Sequence, residues 1–454
     1  MKKNIRLILL ASLLLVSASC KKDWLNEKRD SALLVPTTLK DLRFLLNNNF
    51  PAGNNPIGLA QVASDEYTIA DNYYGSLYFV EQLGYIWSDK TLSTVNYIPE
   101  WDDNYQMVLV ANVILDGLSK ITPDNGNKVE YNDLKGGALF LRARAFYSLS
   151  QIFAKPYDPA TAASDLGIPL RLSPDINEKS VRSTVKDTYD RITADLKEAA
   201  GLLKVTALYK TDSSRPAAYG LLARCYLSMR MYDLALQYAD LSLKDNSKLV
   251  DYNTITLGST YPVPPYNDEV IFHAPIPNYA SFRKPTNAID PVLYSSYDNN
   301  DLRQQLFFIQ NADGTHAFRG SYTGSSQLFG GIATDEQYLI RSECAARAGK
   351  VTEAIADLNT LLKMRYKSGT FTPYTISDKT AALALILQER RKELLMRALR
   401  WSDLRRLNKE NGFEVTIKKT VSGQTYTLPP NDPHYTFLIP QYIINASGMQ
   451  QNPR

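Results

Sequence analysis

The chain is short of the residues from which catalytic and metal centres are usually built. Of its 454 residues only three are Cys, three His and four Trp. His273, His316 and His434 stand far apart, and neither an HExxH pair nor a zinc-type Cys spacing occurs. A GxSxG elbow and a phosphate-cradling glycine loop are missing as well. No metal or cofactor is therefore expected, and no catalytic residue is assigned. Cys225 and Cys344 lie among small and apolar neighbours, where a lone thiol behaves as a small buried hydrophobe, so no disulfide framework is expected. Charge of one sign is also scarce: 51 Lys and Arg face 47 Asp and Glu, which gives no electrostatic reason to expect nucleic acid. Beyond residue 20 no apolar run approaches the ~20 residues of a membrane-spanning helix.

What is present begins at the N-terminus. Lys2, Lys3 and Arg6 precede an apolar stretch from Leu7 to Leu15, and Ser17-Ala18-Ser19 leads directly into Cys20. A basic head, a short apolar segment and small residues describe an export signal. A Cys at the cut resembles a bacterial lipobox, although Ser17 stands where Leu is usual. Residues 1–19 are expected to be a signal peptide and Cys20 the acylated first residue of the mature protein. Several acyl chains, at ~0.8 kcal/mol per buried CH₂, suffice for stable anchoring. Loss of Lys2, Lys3 and Arg6 takes the net charge from +4 to +1.

Apolar spacings of three and four predict a mainly α-helical chain. Met107, Ala111, Ile114 and Leu118 form one stripe. Leu134, Ala138, Leu141, Ala145, Leu149 and Ile152 form a longer one, and Tyr189, Ile192, Leu196, Ala199 and Leu203 a third. Thr38 with Asp41, and Ser183 or Thr184, supply helix starts. Tyr219, Cys225 and Ala235 recur at the same offsets as Tyr338, Cys344 and Ala354. An aromatic early in one helix and a small residue inside the next is the pattern of tetratricopeptide-like helix pairs. In the charged run 389–406, Leu387, Arg391, Leu394, Ala398 and Trp401 share a helical stripe. Arg391 is thus expected in the core, paired with Glu389, Glu393 or a carboxylate elsewhere, in a structural ion network rather than an anion site. Asp298, Asn300 and Asp301 read as a self-capping turn rather than a calcium loop.

Two long stretches, 47–100 and 245–334, lack a sustained helical period and hold much Asn, Gly, Pro and Tyr, with strand-like pieces such as Val270-Ile271-Phe272. Loops of this length are usually functional or carry small structures of their own. The chain holds 29 Tyr, concentrated in these regions. Aromatic planes stack against the C–H faces of sugar rings, and rigid rings cost little conformational entropy to fix. Trp87, Tyr73, Tyr74 and Tyr78 are the candidate stacking residues, with Asp71 and Asp89 the candidate hydroxyl partners. Tyr279, Phe282, Tyr294 and Tyr322 are weaker candidates. The competing role of each is to fill a small loop core, as expected for Trp101 and Trp401. The carboxylate pairs Asp65-Glu66 and Asp102-Asp103 are adjacent in sequence, which does not place them across a glycosidic bond.

In order, several segments resemble the SusD/RagB family of outer-membrane nutrient-binding lipoproteins. They are Cys20 with Lys22-Asp23 and Leu25; Gly136-Gly137-Ala138 with Leu141-Arg142-Ala143 and Phe146-Tyr147; Pro156-Tyr157; and Gly167-Ile168-Pro169-Leu170. Arg182-Ser183-Thr184-Val185, the stretch from Arg215 to Tyr226, Glu389-Arg390-Arg391-Lys392-Glu393-Leu394 with Arg400-Trp401-Ser402-Asp403-Leu404-Arg405, and the closing Ile439-Pro440-Gln441 and Gln451-Asn452-Pro453 continue it. The resemblance implies a tetratricopeptide-like helical scaffold with variable loops. It divides the chain into a helical region 20–214, bearing the insert 47–100, and a region 215–454, bearing the insert 245–334. It also implies a non-enzymatic protein, lipid-anchored at the outer membrane and exposed at the surface. Such a protein binds a glycan, or in some members a peptide, and passes it to a SusC-type TonB-dependent transporter. The alternative from the residues alone is a helical-repeat envelope scaffold that binds peptides or proteins.

Overall fold

The computed structural model describes residues 36–48, 54–90 and 95–454. Cys20 and the export signal lie outside the described residues. The fold is mainly α-helical, and among the described residues ten short strands pair two by two, including β2 (Leu166–Pro169) with β3 (Arg182–Thr184) and β6 (Phe308–Gln310) with β7 (His316–Phe318). The longer helices are α1 (Leu39–Asn47), α2 (Pro99–Ser119), α3 (Lys128–Phe153), α4 (Val185–Leu202), α5 (Arg215–Ser228), α6 (Tyr232–Asp245), α7 (Thr334–Arg347), α8 (Val351–Lys363), α9 (Lys379–Glu393) and α10 (Arg400–Leu407). No described helix is long and apolar enough to cross a membrane.

The helix starts follow local chemistry. Thr38 and Asp41 form the expected capping box: the Thr38 hydroxyl accepts from the Asp41 amide, and the Asp41 carboxylate accepts from the Thr38 amide at 3.0 Å. Thr184 caps α4 through the Asp187 amide, and Pro99 opens α2 at a position where its missing N–H costs nothing.

From α2 to α8 each helix packs on its successor in sequence, and α9 packs back on α7 and α8. This is the stacking of a helical-repeat scaffold. The three predicted stripes are all buried, and α3 is buried on nearly every side over 134–153. Its Gly136 and Gly137 permit that burial, because a Cβ there would meet Leu203 Cγ and Leu46 Cδ2 at 2.8 Å. The two expected helix pairs are α5–α6 and α7–α8. Ala235 and Ala354 are fully buried, and the pairs carry matching hydroxyl staples, Ser242 to the Pro216 carbonyl and Ser342 to the Ala354 carbonyl. Cys225 and Cys344 are buried free thiols.

The stretch 245–334 is closed at its base by β4 (Val270–Phe272), which pairs antiparallel with β8 (Ile332–Ala333). Stretch 47–100 is tied to it where β1 (Tyr67–Ile69) pairs with β5 (Asn287–Ile289), Tyr67 opposite Ile289. Asp298 and Asp301 cap their own turn: Asp298 accepts from the Asn300 amide, and Asp301 from the Arg303 amide at the start of the helix Leu302–Phe307.

The charged run of α9 is a buried ion network, but its members differ from those expected. Arg391 remains a quarter exposed and pairs with Asp65 and Asp290, because α9 ends at Glu393 and the stripe does not continue to Trp401. Glu389, Arg390, Lys392 and Glu393 are the buried ones, Arg390 paired with Asp403. Arg303 meets Asp301, Glu389 and Glu393; Arg365 meets Glu393 and Glu269; and Arg397 meets Asp335. With Lys392, four cations face five carboxylates, and burial raises the Glu269 carboxyl above its ordinary value while Arg365 opposes that rise.

Candidate functional site

The aromatic candidates of the first loop region lie on a small platform of short elements. After β1, a helix over Asp71–Tyr74 leads to a second over Phe79–Tyr85. The Glu81 carboxylate accepts from the Tyr78 amide at 3.2 Å and, through its other oxygen, from the Ser281 amide at 2.8 Å. This buried side chain therefore fixes the start of the second helix to the other loop region. The Tyr74 hydroxyl donates to the Gln82 carbonyl at 2.9 Å, and the Gln82 amide donates to the Leu77 carbonyl. Together these bonds hold the two short helices as one unit.

Strands β9 (Ile417–Val421) and β10 (Gln424–Leu428) form a hairpin beside this unit. Its turn residue Ser422 donates its amide to Asp71 Oδ1 at 2.7 Å. The surface so formed carries Asp71, Tyr73 and Tyr78, with the neighbouring Phe79 43% exposed. Tyr78 is 65% exposed, whereas Tyr73 and Tyr74 are half-buried. The result is a ledge: Tyr78 and Asp71 are exposed on short elements tied to one another and to the hairpin, and the Asp71 carboxylate accepts a backbone amide at its edge.

Two candidates do not join it. Trp87 is only 6% exposed, with its indole N–H donated to the Ala63 carbonyl at 3.0 Å and Lys419 Nζ 5.0 Å from its ring. Its backbone is left-handed, φ 54°, which turns the ring inward. Trp87 is thus a core residue beneath the ledge, not a stacking surface upon it. Asp89 is exposed but faces the C-terminal segment, where His434 Nε2 lies at 2.6 Å and Arg454 Nε at 3.4 Å. Of the weaker candidates, Tyr279, Phe282 and Tyr322 are buried, and Tyr294 stacks on His316. Trp101 and Trp401 are core residues as expected.

Sequence reasoning missed a cleft of about 710 Å³ between α2, residues 169–180 and the helix Gln441–Ser447. Trp101, Tyr105, Leu109, Ile443 and Met449 supply its apolar lining and Arg171 part of its polar rim. Tyr97, 55% exposed, donates its hydroxyl to Asp103 at 2.5 Å, and Tyr442 donates to Asp102 on the cleft wall. These walls come from opposite ends of the sequence, so no local pattern announces them.

Electrostatics are strongest below the surface. Burial works against the Asp65 carboxylate, but Arg400 and Arg391 outweigh it and hold it well below the usual range. Burial pushes Glu66 up to about 7, and Glu100, which accepts from the Tyr279 hydroxyl, likewise to about 7. Among the described residues, Glu269, Asp335 and Glu393 form a group close enough to share a metal ion. Their oxygens are taken by Arg365, Arg303, Arg397 and Tyr322, so the group is part of the ion network.

Residues 23–227 match a family model for SusD-like proteins described as starch-binding and associating with the outer membrane, and residues 332–453 match the SusD family model. No curated protein sequence shows a significant match. Among solved structures, a SusD superfamily protein from Bacteroides thetaiotaomicron is 21% identical, with a TM-score of 0.75 over 92% of this chain and 100% of its own. A putative sugar binding protein from Bacteroides vulgatus is 22% identical, with a TM-score of 0.73 over 92% and 99%. A SusD-like carbohydrate binding protein from the same organism is 19% identical, with a TM-score of 0.69 over 90% and 97%. At these identities the structural likeness is one of fold.

Proposed function

This chain belongs to the SusD/RagB family, and on that footing we propose that it is a non-enzymatic lipoprotein that captures a glycan for import. Acylated Cys20 tethers it to the outer membrane, with the body displayed at the cell surface. Its partner is a SusC-type TonB-dependent transporter, to which it delivers the captured oligosaccharide. Tyr78 and Tyr73 offer ring faces to the sugar, Asp71 accepts from its hydroxyls, and Tyr74 braces the platform.

The observation that carries this reading is the ledge itself. The short elements that carry the tyrosines are held by hydrogen bonds around Glu81 and Gln82, so their backbone meets a ligand already ordered. An open surface suits a chain-like ligand that must be released again.

Affinity gel electrophoresis against a panel of polysaccharides tests it. Retardation on at least one glycan, reduced in Tyr78→Ala, is expected; free migration of the wild type on every glycan overturns the glycan reading. A charged groove of about 580 Å³, lined by Asp240, Arg341 and Asp357 at the α6–α7–α8 junction, favours the second reading, a scaffold for peptides or proteins. Copurification with envelope proteins other than a barrel transporter would favour that scaffold.

A further inference from the structure

Strand β9 alternates inward and outward, and its inward side chains are Ile417, Lys419 and Val421. A lysine between two core aliphatics is out of pattern. Lys419 is only 3% exposed, and its Nζ donates to the Val62 carbonyl at 2.9 Å. Three rings surround the same atom, with centroids at 4.0 Å for Tyr85, 5.0 Å for Trp87 and 5.9 Å for Tyr67. Among the described residues no carboxylate comes within 4.0 Å of it, and Asp65 adds only a longer-range attraction. Burial drives its pKa well below the ordinary lysine value.

Holding a cation without a counter-ion costs more than an aliphatic side chain would at the same place. Three ring faces and a carbonyl offset part of that cost, since a desolvated cation–π contact contributes up to ~2 kcal/mol. Stability of the hairpin alone does not require this arrangement; a methionine would fill the space. What the ammonium adds is a directional link across elements. Tyr85, the ring nearest Nζ, is tied to the same unit: its hydroxyl accepts from the Ile69 amide at 3.1 Å and its ring packs on Tyr74 at 6.0 Å. On the other side, Ser422 and Gly423 form a two-residue turn with φ of 49° and 77°, and Ser422 hands its amide to Asp71. The hairpin is thus joined to the ledge twice: below through the cage and above through Asp71.

We propose that Lys419 is the positioning residue of the ledge, clamping the hairpin inside the cage of Tyr67, Tyr85 and Trp87 so that Asp71 and Tyr74 keep one orientation. This rests on the reading of the ledge as the glycan surface. The ammonium acts through the cage and the turn and touches no ligand.

Hydrogen–deuterium exchange of full-length Lys419→Met, together with its affinity for a glycan that retards the wild type, tests the proposal. The melting temperature is expected to stay within a few degrees of wild type. Exchange over 417–428 and 71–78 is expected to rise about tenfold while α5–α8 keep their protection. Glycan affinity falls about tenfold as the surface loses its order. Wild-type exchange over both segments overturns the proposal. Should the wild type bind no glycan, the glycan reading fails alone and the exchange result still decides the role of Lys419. Should Lys419→Met not fold, Asp71→Ala decides: loosening confined to 421–424 supports the clamp, and loosening of the whole hairpin overturns it.

Discussion

Arg365 reaches both carboxylate oxygens of Glu269 through one nitrogen, Nη2, at 2.8 and 3.0 Å, and neither side chain is exposed. Its Nε meets Glu393 at 2.8 Å, its Nη1 meets the Val250 carbonyl, and its guanidinium lies 4.1 Å above the Tyr252 ring. Arg365→Met therefore strands a buried carboxylate and is expected to cost about 3–5 kcal/mol. Glu269→Gln is expected to cost less, about 1–3 kcal/mol, because the side chain keeps one acceptor oxygen while its new amide nitrogen faces a donor. Urea unfolding of both variants checks the ranking, and a reversed order contradicts it.

The buried acids set a pH profile. Burial pushes Glu66 and Glu100 from 4.5 up to about 7. Each binds a proton more tightly folded than unfolded, so its contribution is full below pH 4.5 and is lost as pH rises through 7. Asp65, Asp301, Glu343 and Asp403 oppose this: burial penalises them, but arginines hold all four below their ordinary values. Their contribution is present above the ordinary carboxyl range and lost in acid. Melting temperature against pH is expected to peak between about 4.5 and 6 and to decline toward pH 8. Glu100→Gln should flatten that decline; an unchanged slope would argue against the assignment.

Ala354 sits fully buried where α8 crosses α7, with its carbonyl bonded to Ser342. Ala354→Leu forces the two helices apart and is expected to destabilise by about 1–3 kcal/mol. The same change at Ala356, on the outer side of α8, should stay within about 0.5 kcal/mol. Thermal denaturation of the pair reads the difference.

Tyr78 and Trp87 should separate binding from folding. Tyr78→Ala is expected to alter stability by less than about 1 kcal/mol and to weaken glycan retention about tenfold. Trp87→Ala removes a cage wall and a buried indole, and is expected to cost about 3–5 kcal/mol. Chemical denaturation beside affinity electrophoresis distinguishes them.

Much of the scaffold was legible because its cues are local. Thr38 and Asp41 lie three residues apart, and the stripes of α2, α3 and α4 repeat within single helices. Arg391 was misplaced because the stripe was extended past the end of α9. Met396 and Ala398 turn left-handed there, φ 59° and 57°, and break the helical phase. Trp87 looked like a ligand residue because its partners, Ala63 and above all Lys419, are remote in sequence. One signal for Lys419 was present: in Ile417-Lys418-Lys419-Thr420-Val421, strict alternation places one lysine inward. The wide cleft had no such signal, since Arg171, Trp101 and Met449 meet only in three dimensions.

The β4–β8 pairing closes the base of residues 273–331, so that α6 still stacks directly on α7 as though nothing intervened. Lengthening a loop whose ends already meet is thermodynamically mild, about 0.6 kcal/mol for each doubling. Its exposed turn at 312–314 can grow while the stack of helices beneath is left undisturbed, whereas Asp301 and Arg303 are bound to α9 and cannot be exchanged freely. The scaffold is thus indifferent to the length of that turn yet committed to the few side chains around it that enter its ion network.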